Sequence, residues 1–286
     1  MFATGTGEQN WVRLATTVNF ITGKKQFRKF AGMNYTAEFI SLRDPLRSYL
    51  YRLTTSREDA DDLVQDTFIR VMEKSHSFSG KSTFKTWVFA IATNLARDRK
   101  RVQARWDLDV QDQCKAAAIA RKDYQERMFS AFNSQAEKQF EIAEHINYCF
   151  TCISKNLAFE QQLAVVLKEF YDFQRHEIAE ILGVTEGVVK HLLFEGRKAL
   201  QEKYSQRCAL INKNGPCYQC AELNDYFQEE HNSREKVKQL GLSPALAGEE
   251  NLDIRFGLIH RLNPLNGNGA KLEETILQML HETIGF

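Results

Sequence analysis

Between residues 34 and 106, apolar side chains recur at helical spacing. Phe39, Leu42, Leu46, Leu50 and Leu53 follow one another at three- and four-residue steps, which places them on one face of a helix. A second helix is predicted from "TTSREDADDLVQDTFIRVMEK". Ser56 stands just ahead of Glu58 and Asp59, so a capping hydroxyl and acidic side chains sit where a helix dipole favours them. Leu63, Val64, Phe68 and Val71 form its buried stripe. Gly80 then breaks the pattern, and "FSGKSTFKTWVFAIATNLARDRKR" predicts a third helix from near Ser82 or Thr83.

Residues 107–144 are polar and weakly periodic, as in a partly helical linker, and 145–207 form a second helical domain. Inside it, Ile178, Ala179, Ile181 and Leu182 make a short apolar helix that Gly183 ends, at a place where the chain must turn with positive φ. Thr185 caps a following helix, with Val188, Val189, Leu192 and Leu193 expected to face inward. A short helix, a glycine turn and a capped second helix make the helix-turn-helix layout. Its second helix would enter a DNA major groove with Glu186, Lys190 and His191 near base edges, and Arg197, Lys198 and Lys203 on phosphates. A Cys-rich segment (208–220) and an acidic extension (221–286) follow. In the extension, short helices are expected around 254–262 and 272–284, with a turn at "LNPLNGNGA". The fold class is therefore all-α: two small helical domains, a linker and a C-terminal extension. Residues 1–32 fit a disordered basic arm or a start codon assigned too early.

Charge sharpens this picture. The net charge of +1 over 286 residues hides a −5 extension and a basic remainder, a distribution suited to a polyanionic partner. No apolar run is long enough for a membrane span and the first residues lack a signal-peptide order, so a cytoplasmic location is expected. No nucleophile–base pair, phosphate loop or paired-carboxylate site stands out in the two domains, and the chain is not expected to be an enzyme.

Residues 81–105 interleave Lys81, Lys85, Arg97, Arg99, Lys100, Arg101 and Arg105 with the aromatics Phe84, Trp87 and Phe89, and with Asn94. Such a surface suits opened, single-stranded DNA, although Trp87 and Phe89 could equally be core. The acidic helix, this segment and the late helix-turn-helix together resemble the extracytoplasmic-function (ECF) class of bacterial sigma factors, over about residues 35–106 and 145–207. The resemblance implies a transcription initiation factor. Its second helix would dock on the β′ clamp helices of core RNA polymerase through Asp61, Asp62, Gln65, Asp66 and Arg70. Phe84, Lys85, Trp87, Asn94, Arg97 and Arg101 would melt and read the −10 element, and the helix-turn-helix would read the −35 element. The implied partners are core polymerase (β′ clamp helices and β flap), promoter DNA and an anti-sigma factor. The alternative is a stand-alone helix-turn-helix regulator responding to metal or redox state.

The cysteines depart from that pattern, because a minimal member would stop near residue 205. Cys149 and Cys152 lie one helical face along from His145, and Cys217 and Cys220 form a second C-x-x-C. Zinc takes four N/S ligands in a tetrahedron, so Cys149, Cys152, Cys217 and Cys220 are the expected set, with Cys208 or His145 as alternates. Buried core cysteines, a thiol–disulfide switch and Cu(I) binding are the other readings. The extension is expected either to dock on both domains and restrain them, or to form a small satellite that only stabilises its neighbour.

Overall fold

A computed structural model describes residues 34–133, 142–212, 214–217, 240–260, 262–266 and 270–285. Among these residues there is no strand, and the one extended pairing is an isolated bridge between Cys208 and Cys217. The first three helices are α1 (Tyr35–Thr54), α2 (Arg57–Lys74) and α3 (Phe84–Asp98). Their starts are local chemistry. Asn34, Ser56 and Thr83 each accept a hydrogen bond from the backbone N–H three residues on, which satisfies an otherwise orphaned donor. The predicted stripes are buried, Phe39, Leu46, Leu50 and Leu53 on α1 and Leu63, Val64, Phe68 and Val71 on α2, while Leu42 is half-buried.

A single turn, α4 (Lys100–Gln103), leads into the linker, which holds two full helices, α5 (Val110–Ala120) and α6 (Lys122–Asn133). The linker is not a loose tether. Val110, Cys114 and Tyr124, with Trp106 just before the linker, are buried in the common core. The second domain consists of α7 (Ile142–Ser154), α8 (Phe159–Tyr171), α9 (Arg175–Leu182) and α10 (Glu186–Arg207). The extension supplies α11 (Gly248–Ile259) and α12 (Ala270–Ile284), near the two places its periodicity indicated. The expected N-terminal arm lies outside the described residues.

The two domains and the extension share one hydrophobic core. Tyr49 and Phe89 of the first domain pack against Tyr171 of the second, with ring centroids 5.6 and 5.7 Å away, and Phe89 lies 5.0 Å from Phe173. Phe256 of α11 meets Phe150 and Phe170 at 5.8 and 5.9 Å. At the far end, α12 packs on the linker helices. Tyr124 donates to the Met279 carbonyl at 3.2 Å, and Arg127 pairs with Glu282 at 2.8 Å.

Polar groups are buried at the junction. Arg52 is 1% exposed. It donates to Asn147 Oδ1 at 2.5 Å and to the Leu262 carbonyl at 3.0 Å, and its guanidinium lies 4.1 Å from the centre of the Phe170 ring. Lys155, equally buried, donates to the carbonyls of Leu53 (3.2 Å) and Val102 (2.9 Å). Glu273 of α12 is buried too, and its Oε1 has no hydrogen-bond partner among the described residues.

Burial, helped by the neighbouring Glu144 and opposed by Arg52, raises the Glu273 carboxyl well above its ordinary value. The folded chain therefore holds this proton more tightly than the unfolded chain. The wild type should lose stability as pH rises above the ordinary carboxyl value of 4.5 and until the raised value is passed. Glu273→Gln removes the titration. Its urea midpoint is expected to exceed that of the wild type at pH 8, with the gap closing as pH falls toward the ordinary carboxyl range. A gap that is constant with pH would refute the assignment.

Candidate functional site

The expected polymerase-docking residues share the outer side of α2. Asp62, Gln65, Asp66 and Arg70 are exposed and Asp61 is half-buried. The stripe follows from helical spacing, because the opposite side of the same helix carries Leu63, Val64, Thr67, Phe68 and Val71 into the core. Three of the five are held by neighbours. Asp61 takes a two-point ion pair from Arg47, Asp66 accepts from Arg99 at 2.8 Å, and Arg70 pairs with Glu73 at 3.0 Å. A cleft opens at the N-terminal end of α2, lined by Arg57, Glu58, Asp61 and Asp62 on one side and by Glu274, Gln278, His281 and Glu282 of α12 on the other.

The residues expected to contact opened DNA are not assembled as a free surface in this arrangement. Phe84 is buried and stacks with Tyr35 and Phe78 at 5.7 Å in each case. Trp87, half-buried, lies on Phe78 and Phe84 at 5.2 and 5.9 Å. An aromatic cluster closes the end of the first domain here, and a ring is worth more packed than held in water. The Lys85 ammonium donates to the Tyr171 carbonyl at 3.0 Å and lies 4.4 Å from the Phe173 ring centre. Arg97 grips Glu160 through two hydrogen bonds of 3.0 and 2.7 Å and donates to the Leu182 carbonyl at 3.1 Å. Asn94 is exposed and accepts from Arg97 at 3.1 Å. The side chain of Arg101 lies outside the described residues. The basic face of α3 is thus turned toward the helix-turn-helix domain, whose carbonyls and carboxylates occupy its cations.

The helix-turn-helix itself follows the expected layout. Gly183 ends α9 at φ +69°, and its N–H donates to the Ala179 carbonyl. The Thr185 hydroxyl accepts from Val188 N–H at 3.4 Å and opens α10. Glu186, Lys190, His191 and Lys198 are exposed, and Lys203 is half-buried. Val188, expected inside, is 43% exposed. Val189 is buried as expected and Leu192 and Leu193 are half-buried against the core, while Gly196, Leu200 and Tyr204 continue the inner line of α10. Gly196 permits the approach to α8, because a Cβ there would lie 2.8 Å from Val165 Cγ2. Arg197, expected on phosphate, pairs with Glu169 at 2.7 Å and with Asp253 of the extension.

The cysteines divide into two places. Cys149 and Cys152 are buried on α7. Burial pushes the Cys152 thiol up to about 12 and the Cys114 thiol up to about 11, so both favour the neutral form. Burial, with the nearby Arg255 charge, pulls His145 down to about 4. Cys208 and Cys217 face each other across the backbone bridge, and Arg255 donates to Cys208 Sγ at 2.9 Å. Among the described residues no three His, Cys, Asp or Glu side chains gather as a metal requires, and Cys220 lies outside them.

Sequence reasoning missed Arg52, Arg57, Lys155 and Arg255, the polar groups that join the parts. Arg52, between Tyr51 and Leu53, and Arg255, between Ile254 and Phe256, carry the signal of a basic residue set among apolar ones; Arg57 and Lys155 carry none.

Residues 39–105 match the sigma-70 region 2 family and residues 149–200 match sigma-70 region 4. The ECF RNA polymerase sigma factor SigG of Mycobacterium tuberculosis is 25% identical over 59% of this chain and 48% of its own length. SigX of Bacillus subtilis is 26% identical over 55% of this chain and 76% of its own, and the sigma-E factor of Haemophilus influenzae is 28% identical over 52% and 76%. The chain thus spans about half the length of the SigG relatives. Among solved structures, the sigma factor RpoE in complex with the anti-sigma factor NepR from Bartonella quintana aligns over 60% of this chain and 96% of its own, with TM-score 0.41 and 20% identity.

Two glycine substitutions test the turn. Gly183→Ala forces a side chain into the left-handed region and is expected to lower stability by ~1 kcal/mol. Gly187→Ala, inside α10 with only an ordinary 3.8 Å contact to the Thr185 hydroxyl, should be neutral or stabilising. Urea titration of both variants checks the contrast; equal losses would place no special demand on residue 183.

Proposed function

Because the chain belongs to the extracytoplasmic-function class of RNA polymerase sigma factors, we propose that it binds core RNA polymerase and directs it to specific promoters, melting the −10 element and reading the −35 element. The observation that carries this is the presence of both matched segments, in order, in one chain. A stand-alone helix-turn-helix regulator would need the second alone. The exposed acidic stripe of α2 supplies a docking edge for a basic partner surface, and α10 leaves Glu186, Lys190 and His191 open for base edges in duplex DNA. No bond chemistry is required of such a factor. Promoter opening needs only tighter binding to melted than to paired DNA, a shift between two states by differential affinity.

In this proposal α3 meets the melted strand after it leaves α8 and α9. Lys85 and Arg97 then exchange a carbonyl and a carboxylate for phosphates, and Asn94, already at the surface, meets a base edge. None of the described helices is long and apolar enough to cross a membrane.

Run-off transcription with purified core polymerase on genomic fragments is the direct test, and discrete promoter-dependent transcripts are the expected result. Asp62→Arg with Gln65→Ala is the matching variant, since both side chains are exposed whereas Asp61 and Asp66 support Arg47 and Arg99. Core affinity is expected to drop at least about tenfold, the scale of lost charged contacts at an interface. Undiminished co-elution with core would remove α2 as the docking edge.

For the cysteines, the paired C-x-x-C spacing is the support for a zinc site of Cys149, Cys152, Cys217 and Cys220. Protein purified under reducing conditions without chelator is then expected to carry about one zinc per chain. Metal analysis showing none returns Cys149 and Cys152 to the core, where their burial already suits them.

A further inference from the structure

The extension touches both domains through side chains rather than lying beside one of them. On the first domain, Glu274 of α12 accepts from Arg57 at 3.0 Å, His281 meets the Thr55 hydroxyl at 2.8 Å, and the carbonyls of Leu262 and Leu265 accept from Arg52 (3.0 Å) and Arg57 (3.4 Å). On the second, Asp253 of α11 pairs with Arg197, His260 meets Asp172 at 3.0 Å, and the buried Arg255 stacks 4.2 Å from the Tyr204 ring centre while donating to Cys208. Between these two sets of contacts the domains are pressed face to face, with Lys85 on the Tyr171 carbonyl and Arg97 on Glu160.

A single chain that reads the −10 and −35 elements must bridge DNA about 25 base pairs long, on the order of 80 Å at 3.4 Å per base pair. Domains joined by hydrogen bonds of about 3 Å cannot make that span. Two further surfaces are taken at the same time. Asp253 holds the guanidinium of Arg197, so a carboxylate stands where a phosphate would compete. The helix α12 forms one wall of the cleft whose other wall carries Asp61 and Asp62.

We propose that α11 and α12 act as an inhibitor in cis: they clamp the two domains in a closed arrangement and cover part of the polymerase and DNA edges, so that core polymerase and promoter must displace them. The proposal rests on the sigma-factor reading above. Its chemistry suits release. The outer contacts are ion pairs between partly exposed groups, Arg57 with Glu274 and Arg197 with Asp253, which are individually weak and exchangeable for charges on polymerase or DNA. The tether keeps the extension at high local concentration, so weak contacts suffice to hold it in place.

The test uses the full chain with Asp253→Arg and Glu274→Arg, which turns both outer pairs into repulsions while leaving α2, α3 and the exposed residues of α10 intact. Three quantities are read: the radius of gyration by small-angle X-ray scattering, affinity for core polymerase, and run-off transcription at limiting protein. The expected result is a larger radius, core affinity raised about threefold to tenfold, and more transcript. Restoring one pair by the swap, Arg57→Glu with Glu274→Arg alone, should return the protein most of the way to wild type, an outcome that mere damage to the fold would not produce. Circular dichroism confirms that each variant remains helical. Variants that keep the wild-type radius and bind core no better than wild type overturn the clamp. If neither wild type nor variant binds core at saturating concentration, the sigma-factor reading itself fails. That outcome differs from one in which both bind alike.

Discussion

Arg52 sets the terms for the rest of the structure. A guanidinium cannot shed its charge easily, and burial pulls its pKa below the ordinary value. It must therefore be compensated on the spot. The compensation comes from three other segments: Asn147 on α7, the Leu262 carbonyl in the extension and the face of Phe170 on α8. Each group alone would be an ordinary contact. Together they oblige the first domain, the second domain and the extension to be in place at once, because an uncompensated buried charge costs several kcal/mol. Lys155 repeats the device, reaching from just past the end of α7 to the carbonyls of Leu53 and Val102.

This arrangement explains why one set of side chains suits two states. Lys85, Arg97 and Arg197 are cations that need oxygen partners. In the closed chain they find a carbonyl, the carboxylate of Glu160, and the carboxylates of Glu169 and Asp253. In the proposed DNA complex, phosphates would supply the same chemistry. Asn94 on α3 and Glu186, Lys190 and His191 on α10, the residues proposed to meet base edges, are exposed, as is Lys198, proposed to meet phosphate. The outer ion pairs, unlike the buried Arg52 junction and the shared apolar core, are therefore of the general, exchangeable kind.

Much of the local structure was legible. The stripes of α1 and α2, the caps at Ser56 and Thr83, the turn at Gly183 and the cap at Thr185 all depend on residues within about one helical turn of each other, so spacing alone exposes them. Two expectations failed for the opposite reason. Phe84 was assigned to a DNA surface and belongs to an aromatic core, and Val188 was assigned to a core and faces solvent. In both cases the side chain suits either setting, and the choice rests on which element lies opposite. The linker was under-read as well. Its polar composition hid Val110, Cys114 and Tyr124, few in number but each buried against the rest of the chain.

By itself the sequence determined an all-α chain, the order of its two domains and the helix ends near Ser56, Thr83, Gly183 and Thr185. These follow from backbone hydrogen bonds four residues apart and from an apolar repeat near 3.6, both of which are printed along the chain. Tertiary structure decided how the parts face one another. Arg52 meets Asn147 across 95 positions, and Thr55 meets His281 across 226. No periodicity records such a pairing, because its energy comes from desolvating and then satisfying polar groups that become neighbours only when the whole core has formed.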